Sequence, residues 1–458
     1  SSEYILIVPH PHSGLPSRKV SLDGSVSSIT PSTLASTIDA SRPWAPFRCE
    51  ADYVFASSCV RWSKSEALIK EELHNYKMET LAGKSKIMFS TVADLKNSLQ
   101  VARQSTVQFE QKTVTVSFDS QTLRFRNRYK VELDYRDPWK VIVDWVQDET
   151  LAPHSTWYSV CKYLYRGRGI IEDIFDEPCT GENWREVDVS FPDTLPSPKT
   201  TRYPSCYLPL HIWLNKGQVS TKVKMHPILM RGLWIDSSIR NASGNGGGAL
   251  LGYIIMPINI DPVTYPHVAC GAAKHQCKDL VYNKINSVIL DSLHARSHYG
   301  ATLQFGDGVV RTGHPGIMIE SMDFQELSAW LAMRSAIATY PCPKCLVPKT
   351  QLASLEKWFE RRTPDKIKAV LHKARAQYSK KDHKEVLKGS GLHNIEQILW
   401  DFRFSDPYKA ASYDTLHWTD EGKFGAHLWE VVKSVLNQTG KSNEFNDWYI
   451  TSGKPADT

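Results

Sequence analysis

Hydrophobic and polar positions follow helical spacing in two segments of the first half of the chain, whereas residues 120–195 show no clean period. Apolar residues recur at helical intervals after residues 63–66 (SKSE), which resemble a capping box, and again after Thr91. Residues 106–118 instead alternate between apolar and polar positions, as a half-buried strand does, and residues 136–145 fit a short helix. The pattern therefore predicts a mostly helical region over residues 44–200.

The beginning of the chain lacks this periodicity. Residues 1–43 are rich in Ser, Pro and Thr, a composition typical of loops, and they contain no basic segment followed by an apolar stretch and a cleavage site. We expect a flexible lead-in, with folded structure beginning near Trp44.

A different order of patterns begins after residue 200. Strand-like runs occupy residues 208–214, 227–235 and 249–258, a helix-like run follows at 274–296, and a fourth strand-like run occupies 302–305 before a Gly-Asp-Gly turn. Three strands, a helix and a fourth strand beside the first are the opening of the ribonuclease H-like fold. The predicted class is thus mixed α+β, with this core at residues 201–335.

The ribonuclease H-like fold holds two divalent ions between an acid on its first strand and an acid near the end of its fourth strand. The position near the fourth strand offers Asp307, although Gly-Asp-Gly is also an ordinary turn sequence. The position after the first strand offers Asn215, which keeps a carbonyl oxygen but lacks the charge that offsets Mg²⁺. Asn-Lys-Gly also suits a turn.

Five segments occur in a specific order along the chain. They read LNKGQVS from 214, IRNASGNGGGALLGY from 239, GDGVVRTGHPGI from 306, YPCPKCLVP from 340, and DPYKAASYDTLHWTDEGKFGAHLW from 406. Together they resemble, from about residue 40 to residue 440, the fungal cut-and-paste DNA transposases of the Plavaka type, which are related to the CACTA and KDZ groups.

The resemblance implies a nuclear protein that cleaves transposon ends and joins them to target DNA with Mg²⁺, acting as a homo-oligomer. It places Asn215 where the first catalytic Asp is expected. It also implies a final Glu well beyond His417, and both Glu430 and Glu444 come too soon. We therefore expect a truncated, degenerate copy with little or no activity. The alternative is a domesticated protein that binds DNA or chromatin without cleaving it.

Asp414 and His417 match the Asp-x-x-His element that the family carries between its second acid and its final Glu. The alternative interpretation is an Asp at a helix start, with a buried His one turn later. The following Gly422 and His427 strengthen the match but assign no role.

Cys342 and Cys345 form half of a possible zinc knuckle, because a two-residue spacer lets both thiolates face one tetrahedral Zn²⁺ ion. The alternative is two free cysteines in a turn. The missing ligands could come from His372, His383, His393, His417 or His427. Resemblance to zinc-bearing insertions in related recombinases points to His417 and His427.

The densest run of charge is residues 356–388, within a Cys/His-bearing and basic helical insertion predicted over 336–458. We expect phosphate contacts from the basic residues of this run, although most charge-rich helices are simply solvated. The candidates for DNA contact are Arg361, Arg362, Lys366, Lys373 and Arg375.

Composition sets the remaining bounds. The chain has 458 residues, room for two to four domains at about 100–200 residues each. Its formal net charge of +6 permits a polyanionic partner without requiring one. Nine scattered cysteines do not resemble a disulfide framework, and no stretch is apolar enough to span a membrane.

Overall fold

The structure is a computed structural model. It describes residues 3–22, 44–81, 86–104, 106–118, 127–166, 170–191, 203–215, 217–218, 224–242, 244–255, 271–334, 336, 338–354, 356–413 and 416–452.

Fourteen α-helices and thirteen strands lie in these ranges. The helices are α1 (Glu50–Arg61), α2 (Glu66–Leu81), α3 (Val92–Gln104), α4 (Pro138–Gln147), α5 (Glu182–Ser190), α6 (Ser237–Arg240), α7 (Gly271–Ile289), α8 (Asp291–Tyr299), α9 (Phe324–Trp330), α10 (Pro364–Arg375), α11 (Lys380–Lys388), α12 (Pro407–Ala410), α13 (Trp429–Gln438) and α14 (Ser442–Ser452). The strands are β1 (Tyr4–Pro9), β2 (Arg18–Ser21), β3 (Glu110–Phe118), β4 (Asn127–Tyr135), β5 (Val160–Arg166), β6 (Ile170–Asp173), β7 (Ser205–Leu214), β8 (Gly217–Gln218), β9 (Lys224–Gly232), β10 (Ala249–Ile255), β11 (Ala301–Gln304), β12 (Val310–Met322) and β13 (Ala411–Tyr413). A π-helix spans Leu416–Leu428. None of the helices in the described ranges is both long and apolar enough to cross a membrane.

A nine-stranded sheet forms the centre of the molecule and confirms the mixed α+β class. Its strands lie in the order β11-β12-β7-β9-β10-β4-β3, with β13 also beside β12 and β8 beside β9. Strands β7, β9 and β10 form an antiparallel meander, as expected for the first three strands of this region.

Strand β12 lies beside β7 on the side opposite β9, and β12 and β7 run parallel. Thr312 pairs with Ser205 at their amino ends, and Ser321 pairs with Trp213 near their carboxyl ends. The prediction that residues 302–305 lie beside the first strand is therefore wrong. Those residues form β11, which pairs antiparallel with β12 as one arm of a hairpin.

One face of β7 lies in the main core. Every second residue from Cys206 to Leu214 is fully buried, because the pleat directs alternate side chains to the same face. Helix α7 contributes Val281, Ile285 and Ile289 to the same core. The single helix expected over 274–296 is divided at Leu290 into α7 and α8.

The beginning of the chain is part of a second sheet. Strand β1 lies between β2 and β5 in the four-stranded order β2-β1-β5-β6, and six residues of β1 pair with β5. The expected lead-in over 1–43 is therefore wrong for residues 4–21. Residues 23–43, where most of its Ser and Thr lie, fall outside the described residues.

The region 44–200 is mixed rather than mostly helical. Helices α1 to α3 enclose a small core of their own that includes Phe55 and Leu95, but β3 to β6 follow before residue 200. The predicted helix after Thr91 is confirmed, and the Thr91 hydroxyl accepts a hydrogen bond from the amide of Asp94. Helix α2 is capped by the hydroxyl of Ser65, which accepts from the amide of Leu68.

Candidate active site

The carboxyl ends of β7 and β12 meet at one edge of the central sheet. Parallel strands end at the same edge, and neighbouring strands lie about 4.8 Å apart. The register pairs Ser321 with Trp213. Asp323 is the first residue after β12 and Asn215 is the first residue after β7, so both stand at this edge of the sheet.

Asp323 is half-buried and caps helix α9. Its Oδ1 accepts a hydrogen bond from the amide of Glu326 at 2.7 Å. Its Oδ2 has no hydrogen-bond partner within the described part of the chain, so this oxygen could take a cation ligand role. The cap fixes the carboxylate at the junction of strand and helix.

A buried hydrogen-bond network supports this junction from the helical side. Glu326 Oε2 lies 2.7 Å from Nδ1 of His226 on β9, and its Oε1 accepts from the hydroxyl of Tyr282 on α7 at 2.7 Å. Burial, followed by the Glu326 carboxylate, raises the pKa of Tyr282 well above its ordinary value. The phenol of Tyr282 therefore stays protonated and donates a hydrogen bond to Glu326.

Glu320 lies on β12 three residues before Asp323 and is fully buried. Burial raises the pKa of its carboxyl to about 8, although the nearby indole of Trp330 opposes the shift. Neither carboxyl oxygen completes a hydrogen bond with a described residue. Burial therefore favours the protonated form of this carboxyl at neutral pH.

Asp307 lies at the opposite end of the sheet, in the turn between β11 and β12. Because Thr312 pairs with the first residue of β7 and Asn215 follows its last, Asp307 and Asn215 are separated by roughly 30 Å. The expectation that they hold one pair of ions is wrong. The predicted turn role of Asp307 agrees with the structure, in which Gly308 has a φ of 79°.

Arg311 engages both carboxylate oxygens of Asp307. Its guanidinium donates to Oδ1 and Oδ2 at 2.8 Å each, and the amide of Val309 also donates to Oδ1. Burial raises the pKa of Asp307, but these hydrogen bonds and the Arg311 charge outweigh it and lower the pKa overall. The negative charge of Asp307 is therefore offset by Arg311 within the hairpin.

The Asp-x-x-His element follows the third strand that reaches the same edge. Strand β13 runs parallel to β12, and its last residue, Tyr413, pairs with Met322. Asp414 is next in the sequence but lies outside the described residues, as does the side chain of His417. Their predicted roles therefore stay predictions.

Cys342 and Cys345 lie in one turn of the described chain. The thiols of Cys342 and Cys345 are half-buried, and the pKa of Cys345 is raised by burial and then by Cys342. His427 is exposed on the π-helix. Among the described residues, no three His, Cys, Asp or Glu side chains converge as a metal-binding group. The zinc site stays a prediction.

The five basic candidates differ in their availability to DNA. Arg362 is 3 % exposed, and its guanidinium donates to the carbonyls of Tyr340, Cys342 and Ser390, so it does not reach the surface. Lys366 pairs with Glu360, and Arg375 pairs with Glu396. Arg361 and Lys373 are exposed.

Asp323 is the residue that sequence reasoning missed. The run PGIMIESM before it is apolar enough for a buried strand, and an acid directly after such a strand was the available signal. The strand was not predicted because Pro315 and two glycines within 310–322 weaken the strand pattern.

The family model of the Plavaka transposase matches residues 89–432. This range includes both ends of β7 and β12 and the turn with Cys342. No curated protein matches the chain. A transposase family implies DNA as the partner. The match covers well over half of the sequence, and the chain belongs to the Plavaka transposase family.

Proposed function

We propose that this chain is a transposase-derived DNA-binding protein whose ribonuclease H-like core has lost cleavage through Asn215. One observation carries the proposal: β12 runs parallel to β7, so Asp323 and Asn215, which directly follow these strands, stand at the same edge of the sheet. In this arrangement, one of two expected carboxylates is a neutral amide. DNA is recognised, but the divalent ions needed for cleavage are held weakly.

The strand order supports a ribonuclease H-like core. An antiparallel meander of β7, β9 and β10 is followed by α7 and α8, and β12 then lies parallel to β7. Strand β13 adds a further parallel strand outside β12. On this basis we propose Asp323, after β12, as the acid of the fourth strand in place of Asp307.

The donor set at this edge fits Mg²⁺ only in part. Asp323 offers a carboxylate oxygen, and Asn215 could offer an amide oxygen. Mg²⁺ prefers oxygen ligands, and carboxylates also offset its charge. Bound there, it would polarise a phosphodiester and activate the attacking water. The protein's own part is to fix the Asp323 oxygen through the α9 cap and the Glu326 network.

Restoring the carboxylate tests the proposal. Asn215→Asp should raise the affinity for Mn²⁺, a Mg²⁺ substitute, by about 10- to 100-fold. Isothermal titration calorimetry on the whole chain measures this affinity. Adding Asp323→Asn, which keeps a side chain able to cap α9, should abolish the gain.

A second addition serves as the matched control. Asp307→Asn in the Asn215→Asp background should leave the Mn²⁺ affinity unchanged, because position 307 lies at the other end of the sheet. If Asp307→Asn removes the gain and Asp323→Asn does not, the assignment to Asp323 fails.

The second candidate is a DNA- or chromatin-binding protein that uses the scaffold without any latent chemistry. Asn215 favours it as well, because an amide at this edge is what a purely binding protein could retain. A plasmid-nicking assay separates the two. Mn²⁺-dependent nicking by Asn215→Asp supports a disabled nuclease, and tight Mn²⁺ binding without nicking supports a binding protein. Under either candidate we propose action in the nucleus as a homo-oligomer.

A further inference from the structure

One surface segment holds a surplus of positive charge as large as that of the whole protein. Residues 356–388 contain eleven Lys and Arg against five Asp and Glu, a surplus of six. This surplus equals the formal net charge of +6 for the whole chain. The remainder of the sequence is therefore neutral overall, and the field of the molecule originates largely here.

Most of these cations are available to a ligand. Lys366, Lys368 and Arg375 pair with carboxylates, and Arg362 is buried against carbonyls. The other seven are exposed and make no ion pair with any described residue: Lys357, Arg361, Lys373, Lys380, Lys381, Lys384 and Lys388.

Helix α11 arranges three of these cations in a stripe. Lys380, Lys384 and Lys388 follow one another at intervals of four residues, which places them on one face about 6 Å apart along the helix. Leu387 is buried against the main core, so α11 is fixed on the body of the protein. The stripe is thus presented on a rigid element.

Two aromatic side chains stand beside the free cations. Trp358 is 92 % exposed and Tyr378 is fully exposed, the highest values among the large hydrophobic side chains described. Trp358 lies between Lys357 and Arg361 in sequence, and Tyr378 directly precedes the capping residue of α11. Neither ring is packed against the protein, so both faces of each ring can receive a ligand.

We propose that residues 356–388 bind an unpaired DNA strand, with Trp358 and Tyr378 stacking on bases and the free lysines contacting phosphates. The proposal rests on the proposed function, which supplies DNA as the partner. It specifies that the bound DNA is single-stranded, as DNA is at an opened or cleaved end.

The aromatic rings favour an unpaired strand over a duplex. In a duplex the faces of the bases are stacked on one another, so an exposed aromatic side chain has no free base face on which to stack. In single strands each base offers a free face, and stacking on an aromatic ring stabilises the complex independently of sequence. Lysines alone would serve either form of DNA.

Helix α10 separates the two rings. It comprises twelve residues between Trp358 and Tyr378, a length of about 18 Å, and Lys366 and Lys373 lie seven residues apart on one face. A strand that follows this helix would therefore meet Trp358 before it and Tyr378 after it, and the lysine stripe lies on α11, which packs against α10.

Fluorescence anisotropy with a labelled thymidine oligonucleotide of about 16 nucleotides tests the proposal on the whole chain. Trp358→Ala combined with Tyr378→Ala should weaken single-strand binding about tenfold or more, because each stacked base contributes strongly. Binding to a duplex of equal length should change less than about twofold. Trp358→Phe with Tyr378→Phe should restore single-strand binding.

The lysine stripe has a separate signature. Changing Lys380, Lys384 and Lys388 together to Gln should reduce the slope of log affinity against log salt concentration by about 2 for the single strand. The double aromatic variant should leave that slope unchanged, because rings release no counterions.

Tyr299→Ala is the matched control, since Tyr299 is 84 % exposed at the end of α8, outside the 356–388 segment. Equal single-strand affinity of the parent and the double aromatic variant would overturn the proposal, as would an equal loss in the Tyr299 control or in duplex binding. The Mn²⁺ titration of Asn215→Asp is independent of these residues, so failure of that metal site would leave this result standing.

Discussion

At the residue scale, Glu320 carries an ionisable carboxyl into a region that water does not reach. It faces the indole of Trp330, and Asp406 and Lys344 are the charged groups whose fields reach it. Burial dominates, so the neutral acid is favoured in the folded protein. The unfolded chain ionises the same group near pH 4.5.

This difference makes stability depend on pH. Between about pH 4.5 and pH 8 the folded protein holds a proton on Glu320 that the unfolded chain has lost, so the unfolding free energy falls as pH rises. The slope from this group is up to about 1.4 kcal/mol per pH unit. Urea unfolding of Glu320→Gln from pH 5 to pH 8 should show a flatter dependence.

Glu430→Gln provides the control, because Glu430 is exposed and pairs only with Lys433. The same pH dependence in Glu320→Gln and the parent would contradict a neutral carboxyl at position 320.

At the scale of elements, Arg362 joins three segments of chain. Its guanidinium binds Tyr340 and Cys342 before α10 and Ser390 after α11, so it attaches the cysteine turn to the helical pair. Arg362→Met should lower the unfolding free energy by about 3 kcal/mol, because three carbonyls lose a charged donor. Urea denaturation measures the loss.

Arg361→Met is the neighbouring control. Arg361 is exposed, and its change should cost less than about 0.5 kcal/mol. Similar losses at both positions would mean that the buried hydrogen bonds of Arg362 do not stabilise the turn.

Periodicity predicted the elements that alternate cleanly and failed where special residues interrupt them. It gave β3, α4, β7, β9 and β10 within a few residues. It missed β12 because Pro315 and its neighbouring glycines interrupt the run, and this one omission moved the second acid from Asp323 to Asp307. The sequence also does not show which residues become buried. Arg362 and Arg361 are neighbours of the same type, and only the packing of the fold buries Arg362.

At the scale of the whole molecule, the two ends of the first 166 residues meet in one sheet. Strand β1 is flanked by β2 and β5, so its backbone groups are used on both sides. Leu6→Pro should therefore lower the thermal midpoint and cause concentration-dependent association, because it leaves an open strand edge on β5. Differential scanning fluorimetry and light scattering measure the two effects.

Leu15→Pro is the control, since Leu15 lies in the exposed loop between β1 and β2 and its amide bonds only the Ser13 hydroxyl. An equal effect of the two changes would show that the pairing of β1 with β5 contributes little.

The pairing of β1 with β5 also has a consequence for synthesis. Tyr4 leaves the ribosome about 160 residues before Tyr165, the residue it pairs with. At 5–20 residues per second, the first strand waits roughly 8–30 s for its partner. During that interval the apolar segment YILIVP can already pair with β2, but its other edge stays open until β5 has been synthesised, and an open strand edge can pair with other chains.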